Sequence, residues 1–191
     1  MKVIAINGSA RKNGNTAHLI NMVFTPLKEA GITCEMIQLS NQQISGCKAC
    51  DQCYKKKNNK CVIQTDIVND IIEKMIEADA IIFASPTYFA NISSELKALI
   101  DRAGRVGRAN EYLYKHKIGV AITSVRRAGS IDAFNAINNF FLIEQMIVPG
   151  SIYWNLGIGK DIGDVHKDGE GEKTMKILAE NMIWLLEKIT S

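Results

Sequence analysis

The sequence predicts an α/β fold, a three-layer sandwich in which helices cover both faces of a five-stranded parallel sheet. Three observations predict it. Apolar runs of strand length alternate with longer segments of helical period along the 191 residues, the pattern of repeated β-α units. The run Asp79–Ser85 is almost unbroken in its apolar character, as expected of a strand buried on both faces. No repeat and no linker divides the chain, and 47% hydrophobic residues suffice for the core of a single domain spanning 1–191.

The elements follow in order. Lys2–Asn7 is a short β-rich run and reads as the first strand. Thr16–Ala30 is a helix, because Leu19, Ile20, Val23 and Leu27 recur at helical spacing. Ile32–Leu39 is the second strand, its ends marked by Gly31 and by Ser40-Asn41, and a cysteine-rich loop insertion follows at about 46–64. Asp66–Ala78 places Ile67, Ile71, Ile72, Met75 and Ile76 on one helical face, with Asp66 as its cap. After the strand Asp79–Ser85 come a helix over Ser93–Val106, a strand over Lys117–Ser124 and a helix over Ile131–Glu144. Met146–Ile152 is the fifth strand, and Glu172–Lys188 the closing helix, with Met175, Leu178, Met182, Leu185 and Leu186 inward. The most economical strand order is 2-1-3-4-5, the flavodoxin-like arrangement. In such a sheet a ligand sits beyond the carboxyl ends of the strands where the order reverses, at the loops after strands one, three and four.

Composition narrows the function. A net charge of +3 gives no reason to expect nucleic-acid binding. No apolar run is long enough to cross a bilayer, and the amino-terminal run breaks at Asn7-Gly8-Ser9, too early for a signal peptide. The expected location is the cytoplasm, where thiols stay reduced. Four of the five cysteines crowd into one loop, which in that compartment points to metal or redox chemistry before a disulfide framework. Cys34, inside the second strand, reads as a small hydrophobe.

After the first strand the chain reads Asn7-Gly8-Ser9-Ala10-Arg11-Lys12-Asn13-Gly14-Asn15-Thr16 and enters a helix. Small residues leave backbone N–H groups open, and the helix amino terminus adds partial positive charge. Ser9, Asn15 and Thr16 can donate hydrogen bonds and Arg11 can pair with an anion, so the loop reads as a phosphate nest. It lacks the Lys-Ser/Thr of a Walker A loop and the G-x-G-x-x-G of a dinucleotide clasp, so a single terminal phosphate, as in FMN, suits it better. The competing reading is a plain turn that caps a helix.

Strand three ends in Ser85-Pro86-Thr87-Tyr88-Phe89-Ala90-Asn91, where backbone amides could reach the polar edge of a flat heterocycle and two aromatics could wall it. Strand four ends in Ser124-Val125-Arg126-Arg127-Ala128-Gly129-Ser130, a second hydrogen-bonding loop. Taken singly, the aromatics read as core and the arginines as solvated surface. Three such loops on one edge are harder to dismiss.

On the motifs GSARKNGNT, ASPTYFANIS-x-x-LKALIDR and NNFFLIEQMIVPGS, the chain resembles the NADPH-dependent FMN reductase superfamily over essentially its whole length. Within that group it looks most like the iron-sulfur flavoprotein branch. The resemblance implies phosphate contacts from Ser9, Arg11, Asn13, Asn15 and Thr16. It implies isoalloxazine contacts from Pro86, Thr87, Tyr88, Phe89 and Asn91, and from Ser124, Val125, Arg126, Arg127 and Gly129. It also implies a homodimer or homotetramer. Phe140-Phe141, Tyr153 and Trp154 suit a subunit contact, although core packing explains them equally well.

The loop after strand two carries Cys47, Cys50 and Cys53 as C-x-x-C-x-x-C, then Cys61. One tight loop can thereby supply three thiolates of a [4Fe–4S] cluster, with the fourth returning from farther along. The spacing resembles the compact motif of iron-sulfur flavoproteins and departs from the bacterial ferredoxin run in its longer last gap and missing proline. Zinc and metal-free thiols remain the alternatives. Many relatives carry two acidic residues ahead of the next helix; here only Asp66 remains. Lys48, Lys55, Lys56, Lys57 and Lys60 could offset cluster charge and meet an acidic donor such as ferredoxin, or form an ordinary solvated face.

His18, His116 and His166 are scattered and form no triad, and Asp101 and Arg102 read as a local pair. Three functions are consistent with these residues. The first is an FMN oxidoreductase passing electrons from a ferredoxin-like donor, through a cluster, to a small-molecule acceptor such as oxygen, peroxide or a quinone. The second is an NAD(P)H-dependent flavin, quinone or nitroaromatic reductase without a cluster. The third is a redox-sensing interaction module.

Overall fold

The structure, a computed structural model, describes residues 1–190. Five parallel strands form one sheet: β1 Lys2–Asn7, β2 Thr33–Gln38, β3 Ala80–Pro86, β4 Ile118–Val125 and β5 Leu156–Ile158, in the order β2-β1-β3-β4-β5. The helices are α1 Asn15–Glu29, α2 Gln52–Lys56, α3 Val68–Glu77, α4 Ser94–Ala109, α5 Ser130–Ile143 and α6 Gly169–Ile189, with a 3-10 turn at Asp164–Lys167. The expected flavodoxin-like sandwich is therefore the observed one.

Alternate residues of each strand point to opposite faces, so the sheet separates two cores. On one side Val3, Ala5, Ile82 and Val120 meet Leu19, Ile20 and Val23 of α1 and Met175, Leu178 and Met182 of α6. On the other, Ile4, Ile6, Ile81 and Phe83 meet α3, α4 and α5 through Ile72, Leu99, Ile137 and Phe141. The central strands β3 and β4 are buried throughout except at Pro86, whereas β2 lies at an edge and is only partly covered, Cys34 being half-buried.

Three expectations need correction. The fifth strand is not Met146–Ile152. Only Ile147 touches the sheet there, by an isolated bridge to Ile118, and Pro149 cannot donate to a ladder. The chain then runs outside the sheet and joins at Leu156–Ile158, opposite Thr123–Val125. The helix expected from Asp66 starts only at Val68, with Ile67 in the cap position; Asp66 Oδ1 still accepts from the Val68 N–H at 3.2 Å, while its other oxygen turns inward to Arg102. Asp101 and Arg102 do not pair with each other: Asp101 pairs with Lys97, and Arg102 with Asp66. In addition, α2 places one short helix inside the cysteine loop, packed against α4.

Candidate functional site

Parallel pairing sets the carboxyl ends of β1, β3 and β4 side by side, with Asn7 opposite Ala84 and Ser85 opposite Thr123. The loops that leave them enclose a cleft of about 340 Å³. From the loop after β1 it is lined by Ser9, Arg11, Gly14, Asn15 and Thr16; from that after β3 by Pro86, Thr87 and Tyr88; and from that after β4 by Ser124, Val125 and Arg126. Gly159 and Lys160, beyond β5, form a fourth wall.

The loops hold one another. The Gly8 N–H donates to the Ala84 carbonyl at 2.8 Å, and the Thr87 N–H to the Ser124 carbonyl at 2.8 Å. The Thr16 and Ser124 hydroxyls are 2.8 Å apart and buried. The Ser9 N–H donates to Asn7 Oδ1 at 3.0 Å and the Arg11 N–H to Ser9 Oγ at 3.1 Å, the local side-chain bonding that shapes such turns. At the far wall Asn15 uses both ends of its amide: Nδ2 donates to the Asp161 carbonyl at 2.9 Å, and Oδ1 accepts from the Gly163 N–H at 2.9 Å. Arg11 Nη1 donates to the Lys160 carbonyl at 3.4 Å. A side chain at Gly159 would come within 2.8 Å of Asn15 Nδ2, so this approach needs glycine.

Not every expected residue reaches the cleft. Asn13 and Arg127 are exposed and do not line it. Phe89 is fully exposed and stands clear. Tyr88 and Asn91 exchange backbone bonds of 2.8 and 2.9 Å across a two-residue turn, in which Phe89 and Ala90 both take positive φ (48° and 57°). That geometry points Phe89 outward and leaves Asn91 bonding its own chain, with Oδ1 accepting from the Ile92 N–H. Gly129, at φ 86°, lets Ala90 pack beside it and so joins two loops without facing the cleft. Composition alone does not reveal the fourth wall, because it puts the fifth strand too early in the chain. A signal existed in Asn155-Leu156-Gly157-Ile158-Gly159, a short apolar run between glycine and asparagine.

The cysteine loop lies on the α3/α4 side. Cys47, Cys50, Cys53 and Cys61 line a single small apolar cavity with Val62, Ile63, Arg102, Arg105 and Val106. Cys47 and Cys50 are exposed and Cys53 is buried, which pushes its thiol pKa up. Among the described residues no group of three or more His, Cys, Asp or Glu side chains is arranged to hold a metal ion as it stands. Side chains from two helices fix the loop. Asn69 of α3 accepts from the Cys61 N–H at 2.8 Å and donates to the carbonyls of Cys61 (3.0 Å) and Ile63 (3.1 Å). Arg102 of α4 donates to Cys61 Sγ at 3.3 Å and pairs with Asp66. Burial raises the Asp66 pKa, but the Arg102 guanidinium and the N–H groups of Ser45 and Val68 outweigh it, and the carboxyl is held below its usual range. Arg105 pairs with Asp51 and lies over the Tyr54 ring, 4.8 Å from its centroid. Arg102 was detectable in the sequence as a charge on the face that carries Leu99, Ala103 and Val106.

A doubly wound parallel sheet with a ligand cleft at its carboxyl edge defines a nucleotide- or flavin-binding α/β protein. The profile of the NADPH-dependent FMN reductase family matches residues 1–161. An iron-sulfur flavoprotein of Methanocaldococcus jannaschii is 37% identical over 198 residues, with 99% of each chain covered. One of Methanosarcina thermophila is 33% identical, covering 99% of this chain and 97% of that one. Among solved structures, an archaeal flavodoxin superposes over the whole of both chains with a TM-score of 0.60 at 18% identity, a likeness of fold. The chain belongs to the NADPH-dependent FMN reductase family, in its iron-sulfur flavoprotein branch, and is an FMN-dependent oxidoreductase.

Proposed function

We propose that FMN occupies the four-loop cleft and exchanges electrons with a [4Fe–4S] cluster held by Cys47, Cys50, Cys53 and Cys61. The observation that carries the first half is Thr87, a residue of the cleft wall whose buried hydroxyl has no partner among the described residues. Such an atom calls for a ligand hydrogen bond, and Thr87 sits where the polar edge of the isoalloxazine would lie. At the other end Ser9, Arg11 and the first N–H groups of α1 would take the phosphate, since the first turn of a helix has unpaired donors. Asn15 and Thr16 would contribute their backbone, because their side chains are engaged with the walls. A volume of about 340 Å³ lies within the range of cofactor sites.

The donor set supports the second half: four thiols around one cavity, with the Arg102 Nε and the Ala49 N–H (3.5 Å to Cys47 Sγ) already directed at sulfur. FMN accepts electrons singly or in pairs and a cluster one at a time, so the two together convert between one-electron carriers and two-electron acceptors. The exposed Lys48, Lys55, Lys56, Lys57 and Lys60 would meet an acidic ferredoxin-like donor. The acceptor is a small molecule reached at the open cleft, and the protein works in the cytoplasm as a homodimer or homotetramer. Among the described residues no helix is long and apolar enough to cross a membrane.

Anaerobic purification tests the reading: four irons and acid-labile sulfide per chain are expected, with FMN bound. For the phosphate end, Arg11→Ala should weaken FMN about tenfold in a fluorescence titration and leave riboflavin unchanged. Equal loss for both flavins would remove Arg11 from the phosphate. A second reading, an NAD(P)H-dependent reductase without a cluster, draws on the family's name; a yellow, iron-free protein bleached rapidly by NADPH would favour it.

A further inference from the structure

Arg102 is the most completely engaged side chain of the cysteine region. It is buried, its side chain 0% exposed and that of Asp66 3%. Nε donates to Cys61 Sγ at 3.3 Å, Nη1 to the Ser45 carbonyl at 3.3 Å and to the Asp66 carboxylate, and Nη2 to the Ile63 carbonyl at 3.0 Å. Packing alone does not call for it. The position shares the α4 face of Leu99, Ala103 and Val106, and taking an ion pair out of water there is costly. A neutral donor could satisfy the Ser45 and Ile63 carbonyls, but it could not aim a charged N–H at sulfur. Of the four thiols, Cys61 has this charged N–H, whereas Cys47 receives a backbone N–H from Ala49 at 3.5 Å.

Resting on the cluster reading above, we propose that Arg102 is a positioning residue that orients the Cys61 thiolate and raises the cluster's reduction potential, with Asp66 offsetting part of its charge. One-electron reduction adds one negative charge to a thiolate-ligated cluster and needs no proton. A donor N–H and a positive charge at a ligand sulfur therefore stabilise the reduced form more than the oxidised form. Asp66 acts in the opposite sense, and the potential is set by the pair.

The test is a redox titration of the anaerobically purified holoprotein with dithionite, followed by the electron paramagnetic resonance signal of the reduced cluster. Arg102→Gln should lower the midpoint so that the reduced-to-oxidised ratio at fixed potential falls about tenfold, ~59 mV for a one-electron centre. Arg102→Lys, which keeps the charge but loses the planar fork, should lower it less. Asp66→Asn, which keeps an acceptor for Arg102 but removes the negative charge, should raise it. A purely structural role predicts loss of iron in all three variants without shifts of opposite sign. Shifts of one sign, or none, overturn the proposal. If Arg102→Gln fails to hold iron, Arg102→Lys and Asp66→Asn still decide by the sign of their shifts. Wild-type protein free of iron and sulfide overturns the cluster reading itself, and this proposal with it; a loaded wild type with unmoved variants overturns this proposal alone.

Discussion

The two faces of the sheet are built by different rules. Beneath α1 and α6 the core is apolar, aliphatic and sulfur-bearing but for Phe24, from Val3 and Leu19 to Met182 and Leu186. Beneath α3, α4 and α5 the protein buries the Arg102–Asp66 pair, the Glu144 carboxylate, the Tyr114 hydroxyl and, at the margin, Cys53. The Glu144 carboxylate and the Tyr114 hydroxyl have no hydrogen-bond partner among the described residues, and burial pushes the Glu144 carboxyl up to about 7 and the Tyr114 phenol up as well. The first face anchors the helix that presents the phosphate loop, a task that needs rigidity. The second supports the loop of thiols, whose chemistry needs charge nearby, and a low-dielectric interior makes both the charges and their loss expensive.

The largest expected effect breaks the charged face. Asp66→Ala leaves Arg102 buried and unpaired, and should destabilise the protein by roughly 3–5 kcal/mol in urea unfolding at pH 7. Because the Asp66 carboxyl is held below its usual range, its contribution is present above the ordinary carboxylate pKa and is lost as the pH falls through the lower folded value. The difference from wild type should therefore close in strong acid. On the apolar face, Leu19→Ala opens a cavity beside β5, where Leu19 packs on Gly157, and should cost about 2–5 kcal/mol. That loss should show no comparable pH dependence, and a strong one would erase the contrast between the faces.

Glu144 gives the opposite sign. Its folded pKa, raised to about 7, exceeds the unfolded value, so the native state binds more protons in between. Stability from this group should fall as the pH rises from about 4.5 to 7. Glu144→Gln should flatten that part of the profile and stabilise the protein at pH 8 by roughly 1–3 kcal/mol. The smallest effect concerns the cleft. Asn15→Ala removes the two bonds that clasp the loop after β5, and should weaken FMN and riboflavin alike by up to about tenfold. A loss confined to FMN would show that the Asn15 side chain turns to the phosphate after all.

Much of this architecture was legible in the sequence, for identifiable reasons. β1, β3 and β4 announce themselves because strands covered on both faces are continuous apolar runs, and the helices because Leu19–Leu27 and Met175–Leu186 repeat at helical period. The phosphate loop is local: Gly8, Ser9, Gly14 and Thr16 lie within one turn of chain. β5 is not legible in this way, because Met146–Val148 has a strand's composition whereas pairing there ends at Pro149 and is taken over by Leu156–Ile158. The chemistry of Phe89 suits the cleft, but the positive φ values of its turn send it outward.

Periodicity and spacing are local properties of a chain, and they suffice to mark β1, β3, β4 and the long helices and to gather four thiols in one loop. The docked fold alone brings Asn15 to the loop at Asp161, 146 residues away, and Arg102 to Cys61 and Asp66 across 41 and 36 residues. Such partners are chosen by which buried donors must find acceptors once the helices have docked, and that requirement comes into being only with the packed interior.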